Sequence, residues 1–544
     1  MNTRQLQTDK NQKLYHALLG ILLVCALAMM MLLSYWACKY SYYGAVDGRT
    51  RGVLVGDKTW AHIAVFLAAS LCAMGIDKVL MKKDKSQQEK ICLCTLIVTS
   101  VIAFILGVFY VCKNPYYPVG DQINTTAFAA YCRDGNFSML SIGGYVGMYQ
   151  QQKGLAILYE ILFTLFGDFN YRPAKILHVV WWILTILAGY GFLKLNTDRP
   201  VFRILYCVMM LGCFPLLFYL PYIYGDVLSI SFGIILFYGV AAYEHSGQKR
   251  YIALASFAAG LAVLARKNTW IVLVAVAVYV LLVSLRKKKV RYLMAGTAIL
   301  LTAALSVKAV DVIYEVRSGY PSGVGIPSIL WVAMGLQETE GRAGVYNRYQ
   351  QATFTDYDCQ QELAAQQGKE YIRERLEEFS QDPGMAFNFF KNKVEGQWIE
   401  PMYAALESTE SFEEGAELSP VLESLYYGEL GRTIWKLTNY YQSILYLAGL
   451  MALVMLGILW WKKKEVPISL WLPWIAVFGG FLFSILWEAK SRYVFPYCVF
   501  MILYAPEGLY QTGLLLCKLP KLRKFKKSGH TQDKGEEASL RETA

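Results

Sequence analysis

Long apolar segments separated by short polar loops dominate the chain. The first three, Leu14 to Trp36, Thr59 to Leu80 and Ile91 to Val111, each reach the roughly 20 residues that a helix needs to cross a bilayer. Further apolar segments follow at Gly154 to Gly167, Ala174 to Leu195, Val201 to Leu220, Val227 to Tyr243, Tyr251 to Ala265, Thr269 to Leu285, Tyr292 to Val312, Ser443 to Trp461, Ile468 to Trp487 and Val494 to Leu516. This pattern predicts an all-α polytopic membrane protein with about 11 to 12 transmembrane helices.

A long polar interruption spans residues 313–433 and includes a charge-dense amphipathic helix from Gln360 to Ser380. It predicts one mostly helical extracytoplasmic domain between two membrane regions. The N-terminal membrane region is residues 1–312, with a first outer loop at 112–152, and the C-terminal one is residues 434–517. The basic tail, residues 518–544, has the polar composition of a disordered cytoplasmic segment.

The composition excludes a water-soluble globule, because 56% of the residues are hydrophobic and only 17% are charged. The formal net charge of +12 would suit nucleic acid in a soluble protein, but here the basic residues cluster in short loops between apolar segments. That distribution indicates the positive-inside topology of a multi-pass cell-membrane protein with both termini cytoplasmic. The expected partner is the lipid bilayer, and nucleic acid is not expected.

Cysteine and histidine usage predicts no structural metal or disulfide framework. The 12 cysteines lie mostly inside apolar runs, and the 5 histidines show no clustered spacing. We interpret the cysteines as small membrane hydrophobes.

The number of crossings after the first outer loop stays open. Lys194 and Arg199 belong in the cytoplasm, so an odd number of crossings must separate them from the loop. Gly154 to Gly167 is shorter than a span needs, and it could be a span, a re-entrant segment or an interfacial helix.

Residues Asn114 to Gln152 form a polar, aromatic and glycine-rich loop between two apolar segments. Asp121 follows a Pro/Gly turn and precedes a short helical run, Thr125 to Cys132. A carboxylate in such a loop could take the proton of a hydroxyl acceptor at the membrane surface. Alternatively, Asp121 could only cap the helix that follows.

The loop motifs YYPVGDQ, the Gly135 to Ser138 turn and YQQQKGLAILYEILFTLFG resemble the first outer loop and second span of GT-C glycosyltransferases. The similarity is to the bacterial branch that contains protein mannosyltransferases and polyprenyl-phosphate-sugar transferases. It implies a GT-C-like fold and inverting transfer of a sugar from a polyprenyl-phosphate-linked donor to an extracytoplasmic protein, cell-wall polymer or glycolipid. In that family an Asp in this loop, often within Asp-Glu, is catalytic, which implies Asp121 as the base. Here Gln122 replaces the Glu, and two spans rather than one precede the loop.

Asp226, in LPYIYGDVLS, is similar in position to the second acidic motif of these enzymes. The resemblance implies a catalytic helper, and in some relatives this motif binds a divalent metal, so a divalent cation is left open as cofactor. The alternative is an interfacial helix cap.

A departing polyprenyl phosphate needs fixed cations, and the sequence offers two clusters. Arg266 and Lys267 lie in a hairpin turn on the outer side, where the positive-inside trend would not put them. WEAKSRYVFP contributes Lys490, Arg492 and Tyr493, similar to a Glu/Arg-Tyr-Pro pattern in such transferases, with Glu488 spaced to orient Arg492. Snorkelling side chains are the alternative for both.

Other substrate contacts are expected from Gln122, Gln152 and Trp398, the last as a platform for a sugar ring or as an interfacial anchor. Glu160 lies within an apolar helix and should face the protein interior, paired with Lys153 or lining a polar cavity. In a different class of function, a transporter or flippase, Glu160 and Asp226 would be pathway charges. Transporters commonly show two related halves and short loops, which this sequence lacks.

Overall fold

A computed structural model describes residues 3–43, 53–464 and 466–518 of the chain. The predicted disorder of the C-terminal tail therefore concerns residues that lie almost wholly outside the described part. The described residues form helices joined by short turns, with two small antiparallel hairpins, as the sequence pattern predicts for an all-α polytopic protein.

The helices are α1 (Thr3–Lys39), α2 (Thr59–Leu80), α3 (Lys85–Lys113), α4 (Asp121–Arg133), α5 (Tyr145–Met148), α6 (Lys153–Phe166), α7 (Arg172–Asn196), α8 (Pro200–Gly212), α9 (Phe214–Phe218), α10 (Asp226–Ser246), α11 (Lys249–Ala265), α12 (Trp270–Lys287), α13 (Val290–Ser318), α14 (Ile329–Gly335), α15 (Tyr349–Asp356), α16 (Gln361–Gln381), α17 (Pro383–Trp398), α18 (Pro420–Tyr427), α19 (Glu429–Trp461), α20 (Leu472–Leu486), α21 (Ser491–Met501) and α22 (residues 505–518). The strands are β1 (Tyr40–Tyr43) paired with β2 (Val53–Gly56), and β3 (Glu338–Thr339) paired with β4 (Arg342–Ala343).

Nine helical segments in the described residues are long and apolar enough to cross a membrane, fewer than the 11 to 12 that the hydropathy pattern suggests. They contain α1, α2, α3, α7, α10, α12, α13, α19 and α20. The difference comes from apolar stretches that are broken or short. The stretch Val201 to Leu220 breaks between α8 and α9, just before Pro215, which lacks the N–H that a continuous helix would need. The last predicted span divides into α21 and α22 before Pro506.

Ion pairs join the basic loops at one end of the helical bundle, here called the basic end. Both terminal nitrogens of Arg203 bind the Glu89 carboxylate, at 2.9 and 2.5 Å. Arg199 binds Asp77 on α2 at 3.1 Å, and Lys287 at the end of α12 binds Glu244 at 2.9 Å. Ser469 links the two groups, because its backbone N–H donates to Glu244 at 2.9 Å and its hydroxyl donates to Asn196 Oδ1 at 2.8 Å. The loops after α2, α7, α10 and α12 therefore lie together, as the positive-inside interpretation requires of them.

Helix α6 lies against the far end of α13, away from the basic end, which answers the open question about Gly154 to Gly167. Its first residue, Lys153, forms an ion pair with Asp311, and Glu160 binds Arg317 in the last turn of α13 at 2.6 Å. Because α6 has 14 residues and both contacts lie within the last two turns of α13, α6 does not cross the bundle. Helix α7 is then the single candidate crossing between Asp121 and Lys194.

The segment between α13 and α19, residues 319–428, forms a domain on the same end as α6, and we call it the cap domain. It is mostly helical, as predicted, and contains α14 to α18 with the β3–β4 hairpin. Trp398 fastens it to the bundle: the indole is fully buried and its Nε1 donates a 3.0 Å hydrogen bond to Ser484 Oγ on α20. Trp398 therefore cannot serve as the exposed sugar platform that the sequence suggested.

The β1–β2 hairpin between α1 and α2 was not predicted. Tyr42 of β1 donates its backbone N–H to Ile399 O of the cap domain at 3.0 Å. The hairpin thereby joins the first two helices to the cap domain.

Candidate active site

A cavity of about 1050 Å³ lies between the cap domain and the adjacent end of the helical bundle. Residues from many distant parts of the chain line it, and they include most of the predicted site residues. Those residues are Asp121, Gln152, Arg266, Lys267, Lys490, Arg492 and Tyr493. Three predicted residues, Gln122, Asp226 and Trp398, are absent from the described lining.

Asp121 presents an exposed carboxylate to the cavity. It is the first residue of α4 and follows Gly120, whose positive φ of 58° turns the chain into the helix. The N-cap position is Gly120, and the helix has no side-chain cap, so the structure does not support capping as the role of Asp121. The Tyr145 hydroxyl donates a 2.9 Å hydrogen bond to Asp121 Oδ1, which fixes the carboxylate and leaves its other oxygen free of this contact.

Hydrogen bonds from buried side chains hold the loop that precedes Asp121. Lys175 of α7 donates from its buried ammonium group to Tyr116 O at 2.8 Å. The Tyr116 hydroxyl donates to Gln122 Oε1, and Gln122 is only 5% exposed. Gln122 is therefore a packing residue of the loop, and it is absent from the described cavity lining, which does not favour the predicted substrate contact.

Asp226 lies behind the cavity, between two arginines that face it. Its Oδ1 is 3.3 Å from Arg266 Nη2 and 3.9 Å from Arg492 Nε, and the carboxylate is 3% exposed. Asp226 is therefore a buried counter-ion of the two arginines and is absent from the described cavity lining, which does not favour the predicted catalytic role.

Tyrosine rings fix the planes of both guanidinium groups. Arg266 lies over the rings of Tyr224 and Tyr493 at 4.8 and 5.5 Å from their centroids. Arg492 lies over Tyr222 and Tyr224 at 5.2 and 5.4 Å. Stacked, paired arginines lose little freedom when a phosphate binds, so we call Arg266 and Arg492 the arginine pair.

Gln152 supports the same arrangement from the loop. Its Nε2 donates a 2.5 Å hydrogen bond to the Tyr224 hydroxyl, and the side chain is 6% exposed. Gln152 thus positions the ring on which both arginines stack.

Close approach at Gly225 brings Asp226 to Arg266. A Cβ at Gly225 would lie 2.0 Å from Ala265 O and 3.0 Å from Arg266 Cγ.

We expect Gly225→Ala to separate α10 from the end of α11 and to lower the free energy of unfolding by about 1 to 3 kcal/mol, the usual cost of overpacking. Thermal unfolding in detergent measures this. The matched control, Gly75→Ala in α2, has no atom within 4 Å of its new Cβ and should unfold at the parent temperature or higher. Equal unfolding of both variants would contradict the close contact.

Glu488 and Lys393, which both line the cavity, have pKa values near 7, and the sequence suggested Glu488 only as a residue that orients Arg492. Burial raises the pKa of Glu488 to about 7, with Lys490 lowering it and Asp121 raising it. Burial also lowers the pKa of Lys393 on α17 to about 7, although the nearby carboxylate of Glu488 acts to raise it. Near neutral pH both groups therefore change charge, and the cavity becomes less positive as pH rises.

We expect the affinity of the cavity for an anionic ligand to fall as pH rises from about 6 to 8. Above its pKa Glu488 becomes negative, and above its pKa Lys393 becomes neutral, so both changes disfavour a phosphate beside Arg266 and Lys490. The measurement is the Kd of geranylgeranyl phosphate at a series of pH values. Glu488→Gln and Lys393→Met should each flatten the dependence, and Asp134→Asn, outside the lining, should leave it unchanged. If a double variant of Glu488 and Lys393 kept the pH profile of the parent, these two groups would be excluded as the cause of the pH dependence.

The described residues contain no group of three or more His, Cys, Asp or Glu side chains that could hold a metal ion. The carboxylate that the resemblance offers as metal ligand, Asp226, faces two arginines. The residues present do not fit a divalent cation at this position.

Comparisons of the chain with protein-family models, with curated proteins and with solved structures found no match.

Proposed function

We propose that this protein is an inverting membrane glycosyltransferase that takes a sugar from a polyprenyl-phosphate donor and passes it to an acceptor outside the cytoplasm. The observation that carries the proposal is one cavity shared by an accessible carboxylate, Asp121, and the arginine pair. The resemblance of the loop around Asp121 to GT-C glycosyltransferases supports it independently.

The proposed reaction needs two opposite charges at opposite sides of the anomeric carbon. Asp121 takes the proton of the acceptor hydroxyl while its oxygen attacks that carbon. The bond from the carbon to the phosphate oxygen breaks, and the electron pair leaves with the polyprenyl phosphate. The arginine pair and Lys490 meet the charge of that phosphate, and guanidinium groups suit it because they bind two oxygens at once.

The placement of charge favours an extracytoplasmic cavity in the cell membrane. The basic loops gather at the end of the bundle opposite the cavity, and the positive-inside trend puts that end in the cytoplasm. A lipid-borne donor can then reach the cavity from the outer leaflet, with its headgroup at the level of Arg266 and Arg492.

A transporter or flippase is supported less well. The two charges proposed for its pathway have fixed partners, since Glu160 binds Arg317 and Asp226 binds Arg266. Both pairs lie at the cavity end, so they do not mark a route through the bundle.

The deciding experiment uses purified protein and a radiolabelled polyprenyl-phosphate hexose. Release of sugar from the donor, dependent on Asp121, supports the proposal. Movement of the intact donor across reconstituted vesicles without any release would instead support a flippase. The release assay also measures transfer to water, so it does not require the acceptor to be known.

A further inference from the structure

We infer that the acceptor is a carbohydrate, a glycan whose terminal sugar rings lie against a row of aromatic side chains in the cavity. The role of this ligand as an acceptor rests on the proposed function. The binding site itself depends only on the geometry of the cavity. The row, here called the aromatic wall, consists of Tyr145, Tyr149, Trp331 and Trp487, and all four line the cavity.

The aromatic wall is continuous and begins at the proposed base. Tyr145, which donates to Asp121, has its ring centroid 5.1 Å from that of Tyr149. Tyr149 meets Trp331 edge to face at 6.3 Å, and Trp331 and Trp487 are parallel within 3° at 6.0 Å. All four residues are partly exposed and line the cavity, and Trp487 is also supported by Phe483, whose ring centroid lies 4.9 Å away.

Amide side chains accompany the rings. Seven Asn and Gln residues line the cavity: Asn124, Gln151, Gln152, Asn268, Gln350, Gln351 and Asn392. Gln350 is 1% exposed, and its Oε1 has no hydrogen-bond partner among the described residues. A buried amide oxygen without a hydrogen-bond partner costs free energy, so a ligand hydroxyl that donates to it would increase the affinity of the ligand.

This combination fits sugar rings better than a lipid tail. A pyranose has flat C–H faces that pack on aromatic rings and an edge of hydroxyls that pairs with amides, which are donors and acceptors at once. An isoprenoid chain would need aliphatic walls, and among the described lining residues only Leu54, Ile326 and Val345 carry larger aliphatic side chains.

The position of the wall points to the acceptor rather than the donor. Trp331 of the wall belongs to the cap domain with Gln350 and Gln351, whereas Tyr145, Tyr149 and Trp487 lie at the end of the bundle that faces it. The donor lipid must stay in the membrane, with its phosphate at the arginine pair. A molecule held by the cap domain therefore enters from the water, and the wall guides its terminal hydroxyl to Asp121.

The test measures binding of the purified full-length protein to an array of soluble oligosaccharides and of Ser/Thr-containing peptides. We expect the parent to bind oligosaccharides, Trp487→Ala and Trp331→Ala to weaken that binding at least tenfold, and Trp487→Phe to recover part of it. Trp461→Ala is the matched control, because Trp461 is 79% exposed and lies outside the cavity lining. Thermal unfolding of each variant checks that the fold is kept, and the Phe variant preserves the test if an Ala variant unfolds.

Several results would overturn the inference. These are binding of peptides but of no oligosaccharide, oligosaccharide binding that neither Trp variant changes, or displacement of the bound oligosaccharide by geranylgeranyl phosphate. Asp121→Asn separates this inference from the proposed function, because it should still bind oligosaccharide. If oligosaccharides bind to the wall while the parent releases no sugar from any donor, the transferase proposal fails and the glycan site stands.

Discussion

Replacing Asp121 by asparagine is expected to slow sugar transfer by about 100-fold to 10,000-fold, the range that a positioned general base contributes. The asparagine side chain keeps the shape of aspartate and can still accept the hydrogen bond from Tyr145. It cannot take the proton of the acceptor hydroxyl. Folding should be unchanged, and the rate of sugar release from a polyprenyl-phosphate hexose measures the loss.

The control for this variant is Asp134→Asn, at the other end of the same helix. Asp134 is exposed and lies outside the cavity lining, so its neutralisation removes one charge without touching the site. It should transfer sugar at the parent rate. Parent-like transfer by Asp121→Asn would exclude this carboxylate as the base.

Much of the membrane architecture could be predicted, because crossing a bilayer imposes a strong local pattern. Thr59 to Leu80 has the same bounds as α2. The pattern fails where local chemistry interrupts an apolar run, as before Pro215, since hydropathy alone does not register the missing N–H. The paired strands β1 and β2 left a weaker signal, two short aromatic or β-branched runs, YSYY and VLVG, on either side of a polar stretch of sequence.

The candidate site was partly predictable because charges stand out against apolar neighbours. Asp121, Arg266 and Arg492 could each be chosen from their local context. Their roles could not be assigned that way, because roles depend on contacts between distant segments. Asp226 has the local appearance of a catalytic carboxylate, and only the approach of α10, α11 and α21 reveals it as a counter-ion.

The tryptophans show the same limit. Trp398 was chosen from its neighbours, yet it packs under the cap domain, whereas Trp331 and Trp487 line the cavity. Burial of a tryptophan follows from tertiary packing, and no spacing in the sequence distinguishes the three. Trp487, beside Glu488 in WEAKSRY, had a local signal that could have found it.

Removing the second half of the arginine pair should weaken the donor interaction strongly. We expect Arg492→Ala to raise the donor KM by about 10-fold to 150-fold, since a hydrogen bond to a charged group contributes about 1.5 to 3 kcal/mol. Arg432→Ala is the control, because Arg432 is exposed, pairs only with Glu429 in the described salt bridges, and lies outside the cavity. A donor KM unchanged in Arg492→Ala would exclude Arg492 from phosphate binding.

Two further variants separate charge from orientation at this position. Arg492→Lys restores the charge but not the planar stacking on Tyr222 and Tyr224, so it should recover only part of the donor affinity. Asp226→Asn leaves both arginines in place but removes their counter-ion, so it should raise the donor KM while transferring sugar far faster than Asp121→Asn. If Asp226→Asn instead matched Asp121→Asn in rate, Asp226 would take part in proton transfer. The two arginines would then have to move during turnover and expose Asp226, because its buried carboxylate cannot reach a hydroxyl in the cavity in this structure.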